Sequence, residues 1–184
     1  MSSMKILSKL HFLLIAPRKF FKEAVDNIEY KTKDLYWLLI ILVSIMLFLE
    51  LIKSDFLQSY SINLADLIYI IGFVLGIIIS FVILVYLIKL LLNKFDVIIK
   101  YQQIGVIIGL ALIPYIIGTA VGLIINTDIF NLQIKILSSI WNLALIAIGI
   151  QIISKLSFAR TAVVVLIMFS FEQMLILIFY GIRL

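Results

Sequence analysis

The run from Ile104 to Ile125, IGVIIGLALIPYIIGTAVGLII, constrains this chain more than any other stretch. It carries no charge and a single proline, Pro114, at its middle. About 20 apolar residues are enough to cross the hydrocarbon core of a bilayer. Pro114 removes a backbone donor and clashes with the preceding turn, which predicts a kink near mid-membrane. Gly105 and Gly109 lie four apart on one side of the proline, Gly118 and Gly122 four apart on the other. Small residues at that spacing let two helix backbones approach closely in lipid. The run therefore reads as a kinked, glycine-lined central helix against which other spans pack. Two roles are open for it: packing alone, since transmembrane helices are richer in Gly and Pro than soluble ones, or a gate or hinge.

Composition agrees with a membrane location. Of 184 residues, 65% are hydrophobic and only 14% charged, too little polar surface to cover a soluble globule. No cysteine is present, so disulfides, thiolate metal sites and lipidated cysteines are excluded. A single histidine, His11, cannot build a metal cluster or a catalytic triad, and no cofactor or metal is expected.

Two parts follow along the chain, a cytoplasmic arm over residues 1–34 and a membrane domain over 35–184. The arm holds Lys5, Lys9, Arg18, Lys19, Lys22, Lys31 and Lys33. Its apolar stretch is short, interrupted by His11 and followed by Pro-Arg-Lys, unlike a signal peptide. From Pro17, which suits a first helical turn, Phe20, Phe21, Ala24, Val25 and Ile28 recur at helical spacing with charged residues opposite. The pairs Lys19/Glu23 and Lys22/Asp26 support that helix. Phe20 and Phe21 would either dip into the membrane interface or cover the cytoplasmic end of the bundle.

The membrane domain predicts five spans: Leu35–Ile52, Asp66–Leu92, the central Ile104–Ile125, Ile136–Ile153 and Ala162–Ile182. Gly72 and Gly76 give the second span a small-residue face like that of the third. Placing the N-terminus inside puts twelve of the fifteen basic residues on the cytoplasmic side, leaving Lys53, Lys135 and Arg183 outside. This asymmetry orients the chain with its N-terminus in and its C-terminus out.

No catalytic motif is visible: no phosphate-cradling glycine loop, no H-E-x-x-H, no nucleophile elbow. The chain is expected not to be an enzyme and not to bind nucleic acid. What remains is polar residues at membrane depth, which are functional candidates by default. Glu172 lies near the centre of the fifth span and is followed by Gln173. Asn142 lies in the fourth beside Trp141, Tyr115 lies in the third, and Glu50 sits near the outer end of the first. No Lys or Arg lies at the depth of Glu172. A protonated Glu172 bonding to Asn142, Tyr115 or a backbone carbonyl would join helices; a proton or cation path and an oligomer contact are the other readings. Lys89 can snorkel to the headgroups.

Five motifs taken in order resemble the YIP (Ypt/Rab-interacting protein) domain family. They are IAPRKFFKEAV in the arm, KFDVIIKYQQ before the central span, ALIPYIIG within it, SSIWNLALIAIGIQ in the fourth span and SKLSFARTA before the fifth. The resemblance implies a five-span, non-enzymatic membrane protein that forms homo- or hetero-oligomers, with the N-terminal region of eukaryotic members binding GTPases. Those members carry D-L-Y-G-P ahead of the first span; here Asp34-Leu35-Tyr36 is followed by Trp37, and the arm is short. That departure argues against GTPase binding and makes the chain look like the prokaryotic members, resident in the plasma membrane. The expected fold is an all-α integral membrane protein with five transmembrane helices and an N-terminal amphipathic cytoplasmic helix. The expected role is a membrane scaffold or organiser whose partners are the lipid bilayer and other membrane proteins. The alternative is a small transporter or permease subunit using Glu172 and the Pro114 kink.

Overall fold

A computed structural model of the chain describes residues 10–27, 32–53, 64–125 and 128–181. Every regular element among them is an α-helix: α1 (Leu10–Ile15), α2 (Pro17–Asn27), α3 (Thr32–Lys53), α4 (Leu64–Asn93), α5 (Tyr101–Ala111), α6 (Ile113–Ile125), α7 (Asp128–Ser154) and α8 (Phe158–Gly181). Among the described residues three stretches are long and apolar enough to cross a membrane: Ile68–Asn93, Tyr101–Leu123 and Leu132–Ser154. The fourth apolar run was expected over Ile136–Ile153, yet α7 begins at Asp128. The polar residues Asp128, Asn131, Gln133 and Lys135 lower hydropathy there without breaking the helix.

The run with Pro114 is two helices rather than one. Leu112 interrupts it with φ −71 and ψ −16, still right-handed, and the Ile116 N–H reaches the Leu112 carbonyl at 3.0 Å, so the helical path continues into α6. Pro114 is the second residue of α6, where its missing N–H costs least. The pair α5–α6 occupies the centre: it packs against α3, α4 and α7, while α8 lies against α4 and α7. Its membrane-length stretch is 56% buried, against 17% and 22% for the other two, and every residue from Ile104 to Ala111 is buried.

Tight packing concentrates at one end, where α4 ends, α5 begins, α7 ends and α8 begins. Leu92, Ile104, Ile150 and Val164 from these four helices are almost fully buried there. Leu13 of α1 and Phe20 and Phe21 of α2 complete the same core, and α2 rests on α7. The two phenylalanine rings meet edge to face at 5.7 Å, whereas Arg18, Lys19 and Lys22 stay exposed.

Both connections at this end close on a left-handed residue. Asp96 (φ 57) follows α4. There the Val97 N–H reaches the Leu92 carbonyl at 3.2 Å and the Asp96 N–H reaches Asn93 at 3.1 Å, the paired bonds of a Schellman motif. Lys155 (φ 55) follows α7, and its N–H reaches the Gln151 carbonyl at 2.9 Å. Neither position is the glycine usual for such caps. The arm before residue 10 and the side chains of Glu23, Asp26 and Glu50 lie outside the described residues.

Candidate functional site

The polar candidates sit at one depth. From the packed end, Asn142 lies twelve residues up α7 from Ser154, or ~18 Å at the helical rise. Glu172 lies fourteen residues up α8 from Phe158, and Tyr115 fourteen beyond Tyr101, each ~21 Å. Pro114 belongs to the same layer.

Close approaches between the central helices and α7 fix how this layer is assembled. A Cβ on Gly149 of α7 would come within 2.6 Å of Ile107 Cγ2 on α5. A Cβ on Gly118 of α6 would collide with Ser138 Oγ on α7 and come within 3.1 Å of Ile134 Cγ2. In an antiparallel pair each step up one helix matches a step down the other. The pairs Ile107/Gly149 and Gly118/Ser138 obey one register, and that register sets Pro114 level with Asn142. Gly105, Gly109, Gly118, Gly122 and Pro114 are all buried. Gly149, which closes one of the two contacts, has no glycine partner at four-residue spacing to mark it in the sequence.

Gly72 and Gly76 behave differently. A Cβ on either would meet nothing within 4 Å, so this face of α4 is open within the chain. The likeness in sequence between the second and third spans is not a likeness in environment.

The polar side chains are level but not joined as one network. Asn142 Oδ1 is buried and accepts no hydrogen bond, so it does not receive a proton from Glu172. Glu172 is half-buried, and no hydrogen bond or ion pair of its carboxyl is formed among the described residues. Tyr115, also half-buried, accepts at its backbone carbonyl from Thr119 Oγ1 at 2.9 Å. Pro114 has no N–H to donate to the Leu110 carbonyl one turn earlier. Among the described residues the layer therefore sets one buried open acceptor, Asn142 Oδ1, level with a carboxyl able to hold a proton.

A second polar cluster forms around Lys89, which meets the chain itself instead of only reaching for the headgroups. Lys89 on α4 is half-buried, donates from Nζ to the Ile99 carbonyl and lies 4.4 Å from the centre of the Tyr101 ring. Tyr86 stacks on that ring with centroids 6.4 Å apart and planes at 7°. The Lys89 ammonium ties α4 to the connection that leads into α5. Among the described residues no group of three or more His, Cys, Asp or Glu side chains gathers as a metal site would require.

In comparisons with known proteins, a family model described as the Yip1 domain matches residues 12–181. No match is found among curated proteins or among solved structures.

Proposed function

This chain belongs to the Yip1 domain family, and from that premise we propose that it is a non-enzymatic membrane organiser that acts through assembly. It crosses the membrane five times. To the three membrane-length stretches α3 and α8 add two crossings, with 22 and 24 residues, or ~33 and ~36 Å at the helical rise against a core of ~30 Å. The packed end carries Lys94, Lys100, Lys155 and Arg160 beside the basic face of α2, which favours a cytoplasmic location for that end. The N-terminus is then inside, the C-terminus outside, and the plasma membrane is the host. Over this end α2 forms an amphipathic cover.

The observation that carries the assembly reading is the open face of α4. Ile68, Ile71, Leu75, Ile79 and Val82 are exposed on it, and Gly72 and Gly76 meet nothing. Each glycine costs ~1 kcal/mol of helix stability relative to alanine with no packing inside the chain in return. A second helix brought close across them supplies that packing, and a second copy of this chain is the partner proposed. The test is oligomer size by light scattering in mild detergent, for wild type and for Gly72→Leu with Gly76→Leu. Wild type should be a dimer or larger and the double variant a monomer of unchanged helix content. A monomeric wild type, or assembly indifferent to the leucines, would contradict the reading.

One observation favours a second reading. Unpaired Asn142 Oδ1, level with Pro114 and with Glu172, is a place where a proton or polar solute could dwell. A small transporter or permease subunit would use these groups.

A further inference from the structure

The basic end of the bundle carries apolar side chains that its own core could have covered and does not. Ile98 is 96% exposed although both neighbours in sequence are better covered, Ile99 buried and Val97 half-buried. This is a built orientation. The Schellman turn at Asp96 fixes where the connection starts, and Lys89 holds the Ile99 carbonyl. Between them exposure alternates, with Ile99 buried and Ile98 and Lys100 projecting outward. The α7–α8 connection repeats the arrangement. Leu156 is buried while Phe158 is 72% exposed, with Lys155 and Arg160 on either side of it. The two connections are neighbours, since the Arg160 guanidinium lies 5.9 Å from the centre of the Phe95 ring.

Four cations therefore flank two exposed apolar side chains: Lys94, Lys100, Lys155 and Arg160 around Ile98 and Phe158. All four are exposed, and none forms an ion pair among the described residues. Among the described residues of the two connections Asp96 is the one acid beside them. A surface that pairs unneutralised ammonium and guanidinium groups with apolar side chains suits a layer where phosphates lie next to acyl chains. That layer is the membrane interface, where basic residues are drawn to anionic headgroups and large apolar residues reach the acyl boundary.

We propose that the rim formed by residues 94–100 and 155–160 is a binding site for anionic phospholipid headgroups. Lys94, Lys100, Lys155 and Arg160 bind the phosphates, and Ile98 and Phe158 enter the acyl boundary beside them. The site rests on the chain being membrane-spanning but not on which side the rim faces. It selects lipids by charge, so anionic lipid accumulates around this end of the bundle and is displaced by salt.

The chain has no cysteine, so Ser157→Cys accepts a single fluorophore within the rim. Ser157 is exposed, and it is its carbonyl that accepts from the Thr161 N–H at 3.0 Å. The labelled full-length protein is reconstituted in phosphatidylcholine vesicles containing an equal mole fraction of brominated phosphatidylglycerol or brominated phosphatidylcholine. Quenching should report about fivefold enrichment or more of the anionic lipid, the scale of one well-placed basic residue. The preference should collapse at high salt and in the combined variant Lys94→Gln, Lys100→Gln, Lys155→Gln, Arg160→Gln. The salt measurement needs none of these four substitutions, so it decides even if the combined variant fails to fold. Equal quenching by the two lipids, or a preference that survives salt, overturns the proposal while leaving membrane insertion intact. No quenching by either lipid would instead remove the spanning reading beneath it.

Discussion

Gly149→Ala tests the register between α5 and α7 on which the polar layer depends. The new Cβ would stand 2.6 Å from Ile107 Cγ2 and 3.1 Å from Cγ1. Carbon atoms prefer about 3.5–4.0 Å, so the intrusion is close to 1 Å. Ile107 cannot step aside cheaply. It is 1% exposed, and as a β-branched residue in a helix it has one strongly preferred rotamer. Overpacking of this kind costs about 1–3 kcal/mol, while alanine gains about 0.8–1.0 kcal/mol over glycine in a helix interior. The sum runs from near neutral to about 2 kcal/mol destabilising. In an Ile107→Ala background both Cγ atoms are gone, and the same Gly149→Ala change should stabilise by about 1 kcal/mol relative to that background. The two substitutions are thus coupled by about 1–3 kcal/mol, well above the error of additivity between distant sites. Equilibrium unfolding in mixed detergent on the four proteins of the cycle measures this. A cost of Gly149→Ala that is equal in both backgrounds would refute the register, and with it the placement of Pro114 beside Asn142.

Two further substitutions probe the arm and the polar layer. Phe21→Ala empties a site in the core shared by α2 and the bundle; such truncations cost about 3–5 kcal/mol. Tryptic cleavage at Arg18, Lys19 and Lys22 should therefore speed up at least tenfold with the bundle left whole, and an unchanged cleavage rate would mean the ring is not packed there. Glu172→Gln keeps the shape of a side chain with no partner among the described residues, so folding, assembly and solute retention of reconstituted vesicles should match wild type. Proton or solute flux in wild type that disappears in the amide would promote the transporter reading.

Which parts of this architecture could be read from the residues follows from what hydropathy records. The runs around residues 35–52, 66–92, 104–125, 136–153 and 162–182 mark helices because little but a helix keeps so many apolar residues in sequence with so little charge. As far as their residues are described, four of them lie on one helix each, and 104–125 is divided by Leu112 between α5 and α6. Hydropathy does not record which side of a helix faces protein. Lipid and core are equally apolar, so Gly72 and Gly118 look alike in sequence, yet one meets open space and the other the Ser138 side chain. The same ambiguity holds for Phe20 and Phe21, whose pattern suits lipid and bundle alike; in the structure they belong to the core at the packed end. Depth was legible for Glu172, Asn142 and Tyr115 from their distance to the helix ends. Pairing was not: sequence distance does not say which side chains meet, and Asn142 Oδ1 accepts no bond from Glu172. Gly149 had no periodic partner to mark it, and the hold of Lys89 on Ile99 depends on a turn that brings residues ten apart together.

A bundle that crosses the membrane five times with its basic, tightly packed end in the cytoplasm makes a definite demand on which residues face outward. Because the sequence lacks cysteine, single cysteines placed at residues 27, 63, 127 and 157 can be tested in intact cells with a membrane-impermeant thiol reagent. Asn63→Cys and Thr127→Cys should label from outside, whereas Asn27→Cys and Ser157→Cys should label only after the cells are opened. Labelling of Ser157→Cys together with the outer pair, or the reverse of the whole pattern, would contradict the account.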